Sequence, residues 1–253
     1  KITRFRHTKF FFDRQGGTER MQKCPDGWEQ RERLLDNPQI RAGFVRKVYG
    51  ILTAQLSFTL ATVGVAVYVP QSRVVFLNPV AYVGASAAAI VSIVGLYCLK
   101  RRHPWNLCLL GLFTVCESMT LATACSVYAA FGLGNVVVLA LALTSIVFGS
   151  LSAYVLVSRR DFDFLGAGLG IGVVVLVSFS VFCIIFPTMA LPGLFGAVGT
   201  MLFSGYILYD TSEIIHRMEV DDYVEGAVDL YLDVINLFVS LLDLLRCLLV
   251  GDE

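Results

Sequence analysis

Charge is scarce in this sequence. Only 16% of its 253 residues are charged, against about 25% in soluble domains, and 56% are hydrophobic, which argues against a water-soluble globule. Histidine is nearly absent: His7, His103 and His216 are the only three, and none lies deep in an apolar run. A zinc hydrolase therefore has no evident ligand set. The seven cysteines form no C-x-x-C pair, and Cys98, Cys108, Cys116, Cys125, Cys183 and Cys247 fall within or beside apolar runs, so they read as small buried hydrophobes. The last apolar segment lacks a lysine, which removes a retinal Schiff base. The outer loops lack a cysteine pair, which removes support for a hormone-type receptor. No cofactor is called for, and nothing points to nucleic acid.

What is present is organised in two parts. Residues 1–47 form a basic arm, expected to be cytosolic, in which Lys and Arg outnumber carboxylates; such an arm suits anionic lipid headgroups. It contains no secretory-signal core, so the first apolar segment is expected to direct targeting. Residues 48–253 hold seven stretches near the roughly 20 residues a helix needs to cross a bilayer. They run 48–69, 79–99, 105–128, 136–157, 164–186, 191–209 and 227–250. Short joints carrying Pro70, Pro104, Pro187 and Pro192 make successive helices antiparallel neighbours. The expected fold is an all-α membrane protein, a seven-transmembrane-helix bundle with a central last helix. Gly166, Gly170 and Gly172, and Gly196, Thr200 and Ser204, supply small surfaces for close helix contact.

A carboxylate inside a bilayer costs several kcal/mol unless neutralised, paired or hydrated, so each one marks a candidate site. Glu117 falls roughly 18 Å into the third segment and is expected to line or support the same interior pathway as the aspartates that follow. Asp210 closes the sixth, and Asp233 falls roughly 9 Å into the seventh from the same side, so the two aspartates can meet. On the last helix Asp229, Asp233, Asn236, Ser240 and Asp243 share a stripe roughly 80° wide, which must face the interior and line a cavity. Asp229, nearest the end, reads as interfacial. Two neighbouring carboxylates cannot both ionise cheaply and share a proton over some pH range. Asp210 and Asp233 are thus a candidate pH-sensing dyad, with Lys100 and Arg101 as cationic partners. Helix glue is the competing reading.

The wording of the chain supports this. Val45-Arg46-Lys47-Val48-Tyr49, His103-Pro104-Trp105-Asn106, Leu208-Tyr209-Asp210-Thr211 and Leu230-Tyr231-Leu232-Asp233-Val234-Ile235-Asn236-Leu237-Phe238 resemble the transmembrane Bax inhibitor motif family. Phe113-Thr114 before Glu117, and Asp161-Phe162 before Gly166-Ala167-Gly168, are most similar to its lifeguard and Golgi anti-apoptotic branch. The resemblance implies calcium leak from an intracellular store, in the endoplasmic reticulum, Golgi or another endomembrane, suppression of cell death, and a di-aspartyl pH sensor at Asp210 and Asp233, with calcium passing transiently there. Two positions depart from bacterial relatives, whose latch pairs a glutamate with an arginine: Ala89 and Asp243 stand there instead, and an extra acid favours cations. Calcium or another cation, the lipid bilayer and cell-death regulatory proteins are the expected partners. A non-conducting scaffold for those regulators is the alternative. An intramembrane aspartyl protease fits less well, because Asp233 follows Leu230-Tyr231-Leu232 rather than Gly-x-Gly, and no Pro-Ala-Leu occurs. The chain is expected not to be an enzyme.

Lys100, Arg101, Arg102, Arg159, Arg160 and Arg217 occupy alternate loops, whereas the opposite loops offer Arg73. The arm and the even-numbered loops therefore share the cytosolic side. Cysteines placed at Arg101 and at Arg159 should both be labelled by a membrane-impermeant reagent from that one face. Labelling from opposite faces would refute the span assignment.

Overall fold

The computed structural model describes residues 10–15, 18–23, 38–99, 104–186 and 192–250. Two compact units are present, Lys1–Phe44 and Val45–Glu253. Within the first, β1 (Phe10–Gln15) pairs antiparallel with β2 (Thr18–Lys23), Phe10 opposite Lys23 and Gln15 opposite Thr18. This hairpin departs from the all-helical expectation, and it lies in the arm rather than in the apolar part.

Seven long helices follow: α1 (Pro38–Tyr68), α2 (Pro79–Leu99), α3 (Trp105–Ala130), α4 (Gly134–Ser158), α5 (Gly166–Ile185), α6 (Pro192–His216) and α7 (Tyr223–Val250). A four-residue helix, Arg73–Phe76, lies between α1 and α2. Local chemistry sets the boundaries. Proline opens α1, α2 and α6 at the position where its missing N–H costs nothing. At α2 the Asn78 side chain also accepts the Val80 N–H at 2.9 Å, a cap for an otherwise orphaned donor. The α3–α4 turn uses Gly132 at φ 79°, open to a residue without Cβ, and α4 ends on Arg159 in the left-handed region.

Among the described residues, five helical segments are long and apolar enough to cross a membrane: Pro38–Tyr68, Pro79–Leu99, Trp105–Ala130, Gly134–Ser158 and Asp163–Ile185. The chain is thus an integral membrane protein. The expectation of seven apolar crossings is met for five; α7 carries Glu225, Asp229, Asp233, Asp243 and Arg246 within its length.

Burial sorts the helices. Sixteen of the 28 residues of α7 are buried, whereas α5 buries Leu169 alone among its 20, so α5 presents most of its surface to lipid and α7 to protein. A core of Ile207, Leu237 and Leu241 packs with Leu143, Val147, Phe148 and Phe203 between α4, α6 and α7. The cysteines divide in the same way: Cys116 and Cys125 are buried, but Cys98 and Cys108 are exposed and Cys183 and Cys247 are half-buried. The reading of all six as interior hydrophobes fails for these four, since an apolar exterior lets a cysteine face outward without penalty.

α6 lies against α7 along Gly193, Gly196 and Gly199. A Cβ on Gly196 would stand 2.6 Å from the Leu244 backbone nitrogen and 2.8 Å from the Ser240 carbonyl oxygen, and one on Gly199 would collide with the Ser240 hydroxyl. On the other side, Gly166 meets the Tyr209 ring, Gly172 meets Leu202, and Gly205 meets Leu169, which seats α5 on α6. Of the small residues singled out in the sequence, Gly166, Gly172 and Gly196 make such contacts, while a Cβ on Gly170 would meet no neighbouring atom within 4 Å. Replacing Gly196 by Ala should therefore destabilise the protein by about 1–3 kcal/mol through overpacking, and Gly170→Ala should be neutral or slightly stabilising. Thermal melting of both variants in detergent checks this. Equal shifts would contradict the backbone-to-backbone contact.

Candidate functional site

α7 has two differently occupied faces. Tyr231 and Asp233 are two residues apart, which turns their side chains about 200° around the axis. Tyr231 is fully buried and looks toward α1 and α3. Its hydroxyl hydrogen-bonds Thr59 Oγ1 at 2.8 Å, Thr59 Oγ1 meets Ser118 Oγ at 2.8 Å, and Gln55 Nε2 donates to Thr114 Oγ1 at 2.9 Å. Phe113 meets the Tyr231 ring edge-on at a centroid distance of 5.9 Å. Sequence reading missed this buried cluster. The signal was available: Gln55 and Thr59, and Thr114 and Ser118, stand four apart within apolar runs, so each pair shares a helix face.

The opposite face carries the polar stripe. Asp233 is 6% exposed. Across from it on α6, the Asp210 carboxyl lies within hydrogen-bonding contact, while Asp233 Oδ2 meets no donor among the described residues. A proton held between the two carboxyls would provide that donor. The sequence argument brought Asp210 and Asp233 together by depth, and the structure places them side by side.

Asp233, Asn236, Ser240 and Asp243 line one cavity of about 480 Å³ between α5, α6 and α7. The facing walls are apolar, from Val173, Leu176 and Val177 on α5 and Phe195 and Phe203 on α6, with Ser180 and Tyr206 as polar exceptions. Asp210 stands one helical turn beyond Tyr206. At the far end Asp243 Oδ1 accepts the Tyr128 hydroxyl at 2.8 Å, tying α3 to α7. Asp229, the stripe member outside the cavity, accepts the Tyr97 hydroxyl at 3.2 Å.

Glu117 does not line this cavity. It sits on the α3 face shared by Phe113 and Leu121 and acts electrostatically on Tyr231, on the other face of α7. The expectation that it lines the same pathway is corrected for that reason: one helix separates the two polar regions. Lys100 and Arg101 lie outside the described residues.

Near Asp210 the α4–α5 connection is clamped to the end of α6. Arg217 reaches Asp161 at 2.8 Å and both Asp163 and Glu213 at 2.5 Å, and Ser212 Oγ accepts the Phe162 N–H at 3.0 Å. The Asp163 backbone N–H, together with the nearby Arg217 guanidinium, holds the exposed Asp161 carboxyl below the usual carboxylate range. Asp161 therefore stays charged throughout the neutral range, and its ion pair with Arg217 weakens only in acid.

Comparison with known proteins agrees with the motifs. The profile of the family described as Inhibitor of apoptosis-promoting Bax1 matches residues 41–248. The chain is 38% identical over 221 residues to Protein LIFEGUARD 2 of Arabidopsis thaliana, covering 84% of this chain and 91% of that protein. It is 39% identical over 208 residues to the Golgi anti-apoptotic protein of Vaccinia virus (strain Lister), covering 82% and 86%. With Protein lifeguard 4 of Mus musculus it shares 36% identity over 208 residues, at 82% and 86% coverage. By motif, by profile and by identity over most of its length, the chain belongs to the Bax inhibitor family of anti-apoptotic membrane proteins, among its lifeguard and Golgi anti-apoptotic members.

Proposed function

We propose that this protein is a proton-regulated cation leak, for calcium above all, in an intracellular membrane such as the endoplasmic reticulum or Golgi, and that it restrains cell death by lowering the releasable store. In this reading all seven helices cross the bilayer around a central α7, the helix that buries most of its residues. The observation that carries the proposal is the contact of Asp210 with Asp233 at one end of a cavity floored by Asn236, Ser240 and Asp243. Carboxylate, amide and hydroxyl oxygens suit a hard cation, and separated stations bind weakly enough to release it.

The gate follows from electrostatics. With one proton between them the carboxyls attract, and the ends of α6 and α7 stay together. With none, two adjacent negative charges in a poorly solvated site repel, and the end of the cavity opens. Among the described residues, the other titratable groups facing the pair are Tyr206, Tyr209 and Glu213 on α6, Asp229 on α7 and Tyr97 on α2; the acids among them add to the repulsion. Lys100 and Arg101 would stabilise the ionised pair from the cytosolic side. The pair is read as a proton site and not as a catalytic dyad because the residues before Asp233 lack the protease pattern.

Calcium flux into liposomes containing the purified protein should depend on pH and rise as the shared proton is lost. Asp210→Asn and Asp233→Asn should each flatten that profile, and the double variant should resemble the singles rather than sum them. A wild-type profile in both single variants would refute the dyad. Flux that rises on acidification instead would refute the assignment of the paired arrangement to the closed state.

A further inference from the structure

The cavity is lopsided in a way that ion passage does not use. Both of its carboxylates and four of its six polar side chains lie on α7, while Val173, Val177, Phe195 and Phe203 give it apolar walls. It also opens sideways: Val177 lines it and is 55% exposed, on the helix that buries least of its surface. An occupant entering past Val177 comes from the bilayer and must bring apolar surface with it. Inside it meets Asp233, more than nine-tenths buried, with an oxygen that accepts no hydrogen bond among the described residues. Asp243, by contrast, is already engaged by Tyr128. Asp210 and Asp233 sharing one proton still carry one negative charge in this poorly solvated place, and a cation that brings its own N–H groups meets it with charge-assisted hydrogen bonds. The volume, about 480 Å³, lies in the range of small-molecule sites.

We propose that this cavity is a lateral binding site for a single-chain cationic amphiphile, a long-chain primary amine, with the ammonium at Asp233 and the chain leaving between Val173 and Val177 toward lipid. Anionic and uncharged amphiphiles are disfavoured, since they meet Asp233 and Asp243 with no positive charge. A bound amine would also place an apolar chain across the space the leak reading assigns to the ion, and so would block it. Binding itself does not require that ions pass.

Native mass spectrometry of the purified protein in a neutral detergent tests this with dodecylamine, 1-dodecanol and dodecanoate. Dodecylamine should bind saturably at one per chain, and the other two should not saturate. Asp233→Asn should weaken it by about tenfold or more, the loss expected for a charged hydrogen bond. Asp243→Asn should weaken it less than about threefold, since that carboxylate is already engaged. Val177→Trp, at the surface and therefore compatible with folding, should close the entrance and weaken binding comparably even if Asp233→Asn proves unstable. Equal binding of the alcohol would overturn the proposal, as would amine binding unchanged in Val177→Trp and in an Asp233→Asn variant that melts normally. Calcium flux measured on the same preparations separates the two readings: amine binding without any leak would overturn the leak alone, and a leak without amine binding would overturn this site alone.

Discussion

Asp233 lies almost wholly inside a bundle built from apolar helices, where an isolated carboxylate would cost several kcal/mol. Its neighbourhood is organised around that cost. Asp210 supplies a partner able to share a proton, but only if α6 comes close enough for the two carboxyls to touch. Gly193, Gly196 and Gly199 permit that approach, because any Cβ along this line would run into α7. The same approach leaves room beyond it, and the polar stripe from Asp233 to Asp243 then faces a cavity instead of lipid.

The reverse face of α7 is held differently. Tyr231, Thr59, Ser118, Gln55 and Thr114 form hydrogen bonds in the protein interior, where such bonds fix geometry because breaking one strands a buried polar atom. One face of α7 is therefore anchored to α1 and α3, and the other meets a neighbour through an ionisable contact. The Arg217 clamp binds the end of α6 to the α4–α5 connection, so displacement of that end carries the connection with it.

Much of this was legible in the chain because membrane helices are marked by long apolar runs and by proline. Pro79–Leu99 matches the expected bounds, and α1, α6 and α7 extend past them through polar residues, such as Pro38 to Lys47 before the first apolar run. The meeting of Asp210 and Asp233 followed from helix depth and antiparallel packing. What was not legible depends on rotation about each helix axis and on which neighbour a face meets. Glu117 seemed to belong with the aspartates because its depth was known and its azimuth was not. The Tyr128–Asp243 and Tyr231–Thr59 contacts join residues more than a hundred positions apart, and no local pattern encodes such a pairing. Gly193, Gly199 and Gly205 escaped notice because glycine is common in membrane helices, and only the partner backbone or side chain reveals which of them matter.

A proton held between Asp210 and Asp233 has a direct signature. Infrared difference spectra of the protein carrying carbon-13-labelled aspartate, recorded across a pH titration, report protonated carboxyl groups through their isotope-shifted carbonyl stretch. A protonated aspartate band should appear in the wild type that both Asp210→Asn and Asp233→Asn alter or remove. If no such band is present, or if it survives unchanged in both variants, the shared proton does not exist and the gate built on it fails.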